Sequence, residues 1–138
     1  MGSRVMETKQ RHDRGFNCAQ AVACTYCDLF GMDEQTAFRA TEGFGAGMGG
    51  MQCTCGAVSG AVFLAGLKNS CADPEQPRSK GRTYKLSREI ADSFLEKNGS
   101  LVCQELKGMD TGKPLRSCEG CILDAAGLVE KILVDGDL

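Results

Sequence analysis

GAGMGGMQCTCGAVSGA, Gly45 to Ala61, can be read in two ways, and each implies a different fold. Its first half, Gly45-Ala46-Gly47-Met48-Gly49-Gly50, has the glycine spacing of a dinucleotide-binding loop. Its second half carries Cys53 and Cys55 and runs into an apolar segment. The nucleotide reading needs a buried strand before the glycines and a helix after them, inside a βαβ unit. The preceding DEQTAFRATEG is polar with a helical period, and no second strand with a ribose-binding acid follows. The glycines are therefore expected to form a flexible connector between two closely packed helices.

Outward from this stretch, the hydrophobic period is helical nearly throughout. Residues 55–68 are apolar on all sides and read as a central buried helix. Ala57, Ala61 and Ala65 recur at i, i+4 along one side, and Gly56 and Gly60 along another, so neighbouring helices can approach closely. A helix is expected from about Asn17 to Phe30, closed by Gly31, with a weaker one before it from Val5 to Arg14. Another starts near Asp33. TYKLSREIADSFLEKNG is amphipathic, with Leu86, Ile90, Phe94 and Leu95 as its apolar face and Gly99 as its C-cap. A short helical turn follows Ser100, and SCEGCILDAAGLVEKILV forms the last helix. The expectation is one all-α domain over residues 1–138: a small bundle of about five or six helices around a central Gly/Ala-rich helix.

Nine cysteines among 138 residues are the unusual feature. The N-terminal MGSRVMETKQRHDRGF has no apolar h-region, which predicts no signal peptide and a reducing, cytoplasmic setting. There, clustered cysteines are more often redox groups or metal ligands than structural staples. Their placement is more telling than their number. Cys18 follows Asn17, Cys55 follows Thr54, and Cys118 follows Ser117. Asn, Thr and Ser are N-cap residues, so each cysteine would open a helix. Cys103, three residues after Ser100, would lie in a first turn as well. Thiols at helix starts feel the positive end of the helix dipole and unpaired N–H groups, which favour thiolate. Thiolate is the form that attacks disulfides or binds a metal.

The other five cysteines divide. Cys24 and Cys27 are neighbours at i, i+3 and read equally as a second thiol pair or as packing. Cys118 and Cys121 form a CxxC at a helix start, though without the βαβ context of a thioredoxin motif. Cys53-Thr54-Cys55 is a tight CxC that could chelate a soft metal. Cys71 sits in a loop and carries no signal.

Several chemistries are excluded. His12 is the only histidine and lies in a charged segment, which argues against a Cys–His pair. Neither CxxC is followed by His, so c-type haem attachment is absent. Net charge is −2. The basic cluster Arg78, Lys80, Arg82, Lys85 and Arg88 lacks interleaved aromatics, so it reads as a solvated face and not as a nucleic-acid site. The longest apolar run, CGAVSGAVFLAGL, is too short to span a bilayer, so membrane insertion is not expected.

GFNCAQAV around Cys18, Cys55-Gly56-Ala57-x-x-Gly60, NGSLVCQELKG around Cys103 and CEGCILDAA around Cys118 occur in one order over about residues 5–134. In these stretches the chain resembles the C_GCAxxG_C_C family of redox-active proteins, small chains whose genes often lie beside transporter genes. The resemblance implies that Cys18, Cys55, Cys103 and Cys118 are the four signature cysteines, with Cys121 at a usually aromatic or aliphatic position. The leading expectation is a thiol redox protein, with a thiol or disulfide substrate, thiol–disulfide exchange or electron transfer as its reaction, and no required cofactor. Cys55 is expected as nucleophile, with Cys118 or Cys103 resolving. One alternative is a four-cysteine zinc or iron–sulfur site on the same residues. Another is a non-catalytic helical partner of a transporter. Homodimerisation is left open.

Overall fold

The computed structural model describes residues 2–135. Among them the chain is all-α, with seven α-helices where five or six are expected. α1 (Val5–Asp13), α2 (Cys18–Tyr26), α3 (Glu34–Thr41), α4 (Gly56–Asn69), α5 (Lys80–Asn98), α6 (Cys103–Lys107) and α7 (Cys118–Leu128) follow in order. The extra count comes from α6, which is only five residues long. A tight turn, Cys27–Phe30, extends α2 to Gly31, whose φ of 85° is the left-handed stop that the sequence implies. α7 continues as a wider-wound segment, Val129–Val134.

Two helices share the centre. α4 packs against α2, α5 and α7, as expected of a Gly/Ala-rich core helix. Yet it is α2 whose residues from Ala19 to Tyr26 are all buried. α4 leaves Ser59, Val62, Phe63 and Leu67 partly exposed along one flank. The contact between α2 and α4 is made through glycine. A Cβ on Gly60 would stand 2.7 Å from the Ala19 carbonyl oxygen, and one on Gly56 would stand 3.2 Å from the Cys18 Cβ. The backbone of α4 thus rests directly on the first turn of α2. Leu64, Ile90, Phe94, Ile122 and Val129 fill the remaining core without solvent exposure.

On α5 the stripe Leu86, Ile90, Phe94 runs on to Asn98 at i+4 steps. Leu95 falls off that stripe and is 42% exposed, so it does not join the apolar face. Tyr26 is fully buried, and its hydroxyl donates to Glu130, which also accepts the Arg4 amide. This pins α1 and α2 to the segment after α7. The five basic side chains from Arg78 to Arg88 lie at the surface, fully or partly exposed. No helix among the described residues is long and apolar enough to cross a membrane.

Gly60→Val places atoms where the Ala19 carbonyl stands, and urea unfolding should show a loss of about 1–3 kcal/mol. Gly66→Ala, in the same helix with open space around its Cβ, should instead gain up to about 1 kcal/mol. Equal effects from the two would contradict the close approach of α2 and α4.

Candidate functional site

Four helix starts meet at one small cavity. It has a volume of about 20 Å³ and is lined by Cys18, Cys55, Cys103, Cys118 and Cys121. Ala46, Gly56 and Leu106 close it, and Lys107 and Arg116 supply two cations.

Local sequence explains each placement. Asn17 caps α2 through a reciprocal box with Gln20, which makes Cys18 the first helical residue. The Ser117 hydroxyl accepts the Gly120 amide at 2.9 Å, so Cys118 opens α7 as expected. Cys55 differs from the expectation by one position. It is itself the N-cap of α4, and Thr54 is not, because Thr54 is held in extended backbone. The Cys55 amide donates to the Leu101 carbonyl at 2.7 Å, and the Cys103 amide donates to the Cys53 carbonyl at 2.9 Å. This single antiparallel bridge, Thr54 with Val102, sets Cys55 and Cys103 side by side. The same pairing moves the start of α6 to Cys103, with Val102 as its N-cap.

The expected flexible connector is a wound turn. Ala46, Gly47, Met48, Gly49 and Met51 all have positive φ. Gly47 is buried, and a Cβ there would stand 2.5 Å from the Cys103 Cβ. The Gly47 carbonyl also accepts the Cys53 amide. The glycines therefore let the backbone lie against Cys103 and form one wall of the site. Nothing in this turn has the βαβ setting of a nucleotide loop.

Four of these thiols, Cys18, Cys55, Cys103 and Cys121, are electrostatically unlike one another. Cys55 is 5% exposed, and its pKa falls to about 7. A hydrogen bond from the Cys121 thiol is the main cause, and it outweighs the opposing effect of burial. The amides of Ala57 and Val58 and the Lys107 charge lower it further. The same contact raises the pKa of Cys121, which burial and the neighbouring thiols push up too. Cys121 therefore acts as the proton-bearing donor and Cys55 as the thiolate acceptor. Cys18 rises to about 12, chiefly through burial and then through Cys55 and Cys118 nearby. Burial raises Cys103 as well, against the pull of Lys107. Four helix starts thus do not give four activated thiols. Desolvation and mutual repulsion raise Cys18 and Cys103, and Cys55 is lowered first by the Cys121 thiol, with the amides at the start of α4 only adding to it.

Two contributors lie outside the four signature positions. Cys121 is in the site, and the CEGC spacing was its signal, since i, i+3 places both sulfurs on one face of α7. Lys107, the last residue of α6, reaches back to hydrogen-bond Cys118. Burial lowers its pKa, but the charges of Cys118 and Cys103 more than offset this and leave it raised. No sequence signal marks it, because its role depends on how α6 is docked. Arg116 also lines the cavity but is committed to Asp124 at 3.0 Å, and Asp124 is in turn held by Lys97 at 2.8 Å.

The remaining cysteines lie elsewhere. Cys24 and Cys27 are buried and donate to the backbone carbonyls of Glu34 and Cys24 at 3.7 Å. Cys53 is exposed and does not line the cavity. Cys71, half-buried in its loop, has its pKa lowered to about 7 by Ser79 and the amides of Arg78 and Asp73. All nine are free thiols. Among the described residues no three Cys, His, Asp or Glu side chains are grouped to share a metal ion. An ammonium already faces Cys118.

A family model described as "Putative redox-active protein (C_GCAxxG_C_C)" matches residues 16–132. The chain belongs to the C_GCAxxG_C_C family. The match takes in all four helix starts of the site. No curated protein and no solved structure gives a significant match.

The 13Cβ shift of Cys55, followed by NMR across about pH 5 to 9, should titrate with a midpoint near 7, while that of Cys18 keeps its thiol value throughout. Cys121→Ala should move that midpoint up toward the usual thiol range near ~8.5, and Cys121→Ser, which keeps a donor, should move it less. An unchanged midpoint in Cys121→Ala would remove the assigned cause.

Proposed function

We propose that this protein is a thiol redox protein whose working couple is the dithiol Cys55 and Cys121. The observation that carries this is the small cavity that Cys55 and Cys121 share, where the Cys121 thiol lowers the pKa of Cys55. A thiolate in contact with a protonated thiol is the reduced form of a disulfide couple, with nucleophile and partner already paired. This contact favours Cys121 over Cys118 or Cys103 as first partner of Cys55.

A two-electron oxidant, a disulfide that enters through Cys118 or a peroxide, is reduced as the Cys55–Cys121 bond forms. The Cys121 proton goes to solvent or to the acceptor. Cys118, half-exposed and one turn before Cys121 on α7, is the way out. Its thiolate attacks the Cys121 sulfur, the Cys118–Cys121 bond forms, and Cys55 leaves as thiolate. Lys107 stabilises the attacking Cys118 sulfur. Cys18 and Cys103, held protonated by burial, wall the cavity and keep charge from spreading over it.

Equilibration in a dithiothreitol redox buffer, acid quenching and disulfide mapping by mass spectrometry test this. Cys55–Cys121 and Cys118–Cys121 should both be found at equilibrium, whichever forms first. In Cys121→Ser neither should appear. A wild-type protein in which Cys55 pairs with no cysteine at any buffer ratio would rule the function out.

A further inference from the structure

The cavity of this site says which oxidant can reach Cys55, and the inference rests on the redox reading above. About 20 Å³ exceeds the ~10–15 Å³ that one water needs. It is far below the space an organic disulfide requires, with two sulfurs and their flanking carbons. Cys55, Cys103 and Cys121 are 5%, 5% and 2% exposed, so a disulfide on another molecule cannot approach Cys55 directly. The space suits a molecule little larger than water, and hydrogen peroxide is the oxidant nearest that size. The surroundings also suit its reduction: a thiolate faces the space, a second thiol touches that thiolate, and the Lys107 ammonium lines the same wall.

We propose that Cys55 reduces a small hydroperoxide, hydrogen peroxide being the best fit, with Lys107 as the acid for the leaving oxygen and Cys121 as the resolving thiol. The Cys55 sulfur attacks one peroxide oxygen. The S–O bond forms, the O–O bond breaks, and the leaving hydroxide takes a proton from Lys107 to become water. Cys55 is then a sulfenic acid. The Cys121 sulfur attacks it, the S–S bond forms, the S–O bond breaks, and the hydroxyl leaves with the Cys121 proton as a second water. Lys107 regains its proton from solvent. Two electrons pass from the two sulfurs to the peroxide. A dithiol reductant then resets the couple through the half-exposed Cys118. Arg116 is less suited as the acid, because its guanidinium is held by Asp124 and stays protonated.

The test uses reduced full-length protein carrying Cys71→Ser, which removes the reactive loop thiol outside the site. Hydrogen peroxide, cumene hydroperoxide and hydroxyethyl disulfide are compared by rapid quench and site-resolved mass spectrometry, each against free cysteine corrected for its thiolate fraction. Hydrogen peroxide should oxidise Cys55 about 100-fold or more faster than free cysteine, the scale of a positioned general acid. Cumene hydroperoxide should be slower than hydrogen peroxide. The organic disulfide should be trapped first on Cys118 and show no advantage at Cys55. Lys107→Met should lose most of the peroxide advantage and Lys107→Arg should keep part of it, each checked for native helicity by circular dichroism. If hydrogen peroxide reacts no faster than free cysteine while Cys55–Cys121 still forms in the dithiothreitol buffer, the peroxide assignment fails and the redox couple stands. If Cys55 pairs under no oxidant, both fail. A disulfide reagent that modifies Cys55 first, with a larger advantage than peroxide, also overturns the assignment.

Discussion

One backbone bridge, Thr54 with Val102, holds this site together. Its two hydrogen bonds, from the Cys55 amide to Leu101 and from the Cys103 amide to Cys53, join segments far apart in the chain where each is about to become helix. A helix start leaves its first amides without partners. Here the bridge uses two of them, and in doing so fixes where α4 and α6 begin. Cys55 becomes an N-cap, with its sulfur over the amides of Ala57 and Val58, and Cys103 becomes a first helical residue. Both cysteines owe their facing to a pair of main-chain contacts.

Charge then sorts the thiols. Burial of Cys18, Cys103 and Cys121 around one small cavity makes their thiolates costly, because each is desolvated and repelled by neighbouring sulfurs. One negative charge is tolerated where a donor thiol, two amides and an ammonium converge, and that place is Cys55. Its ionisation makes the neighbours harder to ionise: Cys55 is among the causes that raise Cys18, Cys103 and Cys121. The site therefore distinguishes nucleophile from partner through order of ionisation, although all members are the same residue type.

The sequence carried most of the fold and the four signature positions. N-caps at Asn17 and Ser117, the left-handed stops at Gly31 and Gly99, and the helical period are local signals, and the structure places them where their neighbours imply. What could not be read depends on contacts between distant segments. Thr54 looks like an N-cap beside Cys55, and only its pairing with Val102 shows otherwise. Lys107 has no motif, since its ammonium reaches the sulfurs only after α6 docks. Leu95 suits an apolar face by type, but the stripe passes to Asn98. The glycines from Gly45 to Gly50 suggest looseness by composition, whereas Gly47 is there because Cys103 leaves no room for a side chain.

The contact of α4 with α2 through Gly60 and Gly56 has a consequence for how this protein can diverge. Where side chains separate two helices, a larger residue on one can be matched by a smaller one on the other, and the spacing drifts over generations. Here main chain meets main chain, at 2.7 Å from a virtual Cβ to the Ala19 oxygen, and no such exchange exists. The distance from the first turn of α2 to the first turn of α4 is a limit set by atomic radii. Sequence change elsewhere in the core can reshape the bundle, but it cannot bring α2 and α4 closer at this contact.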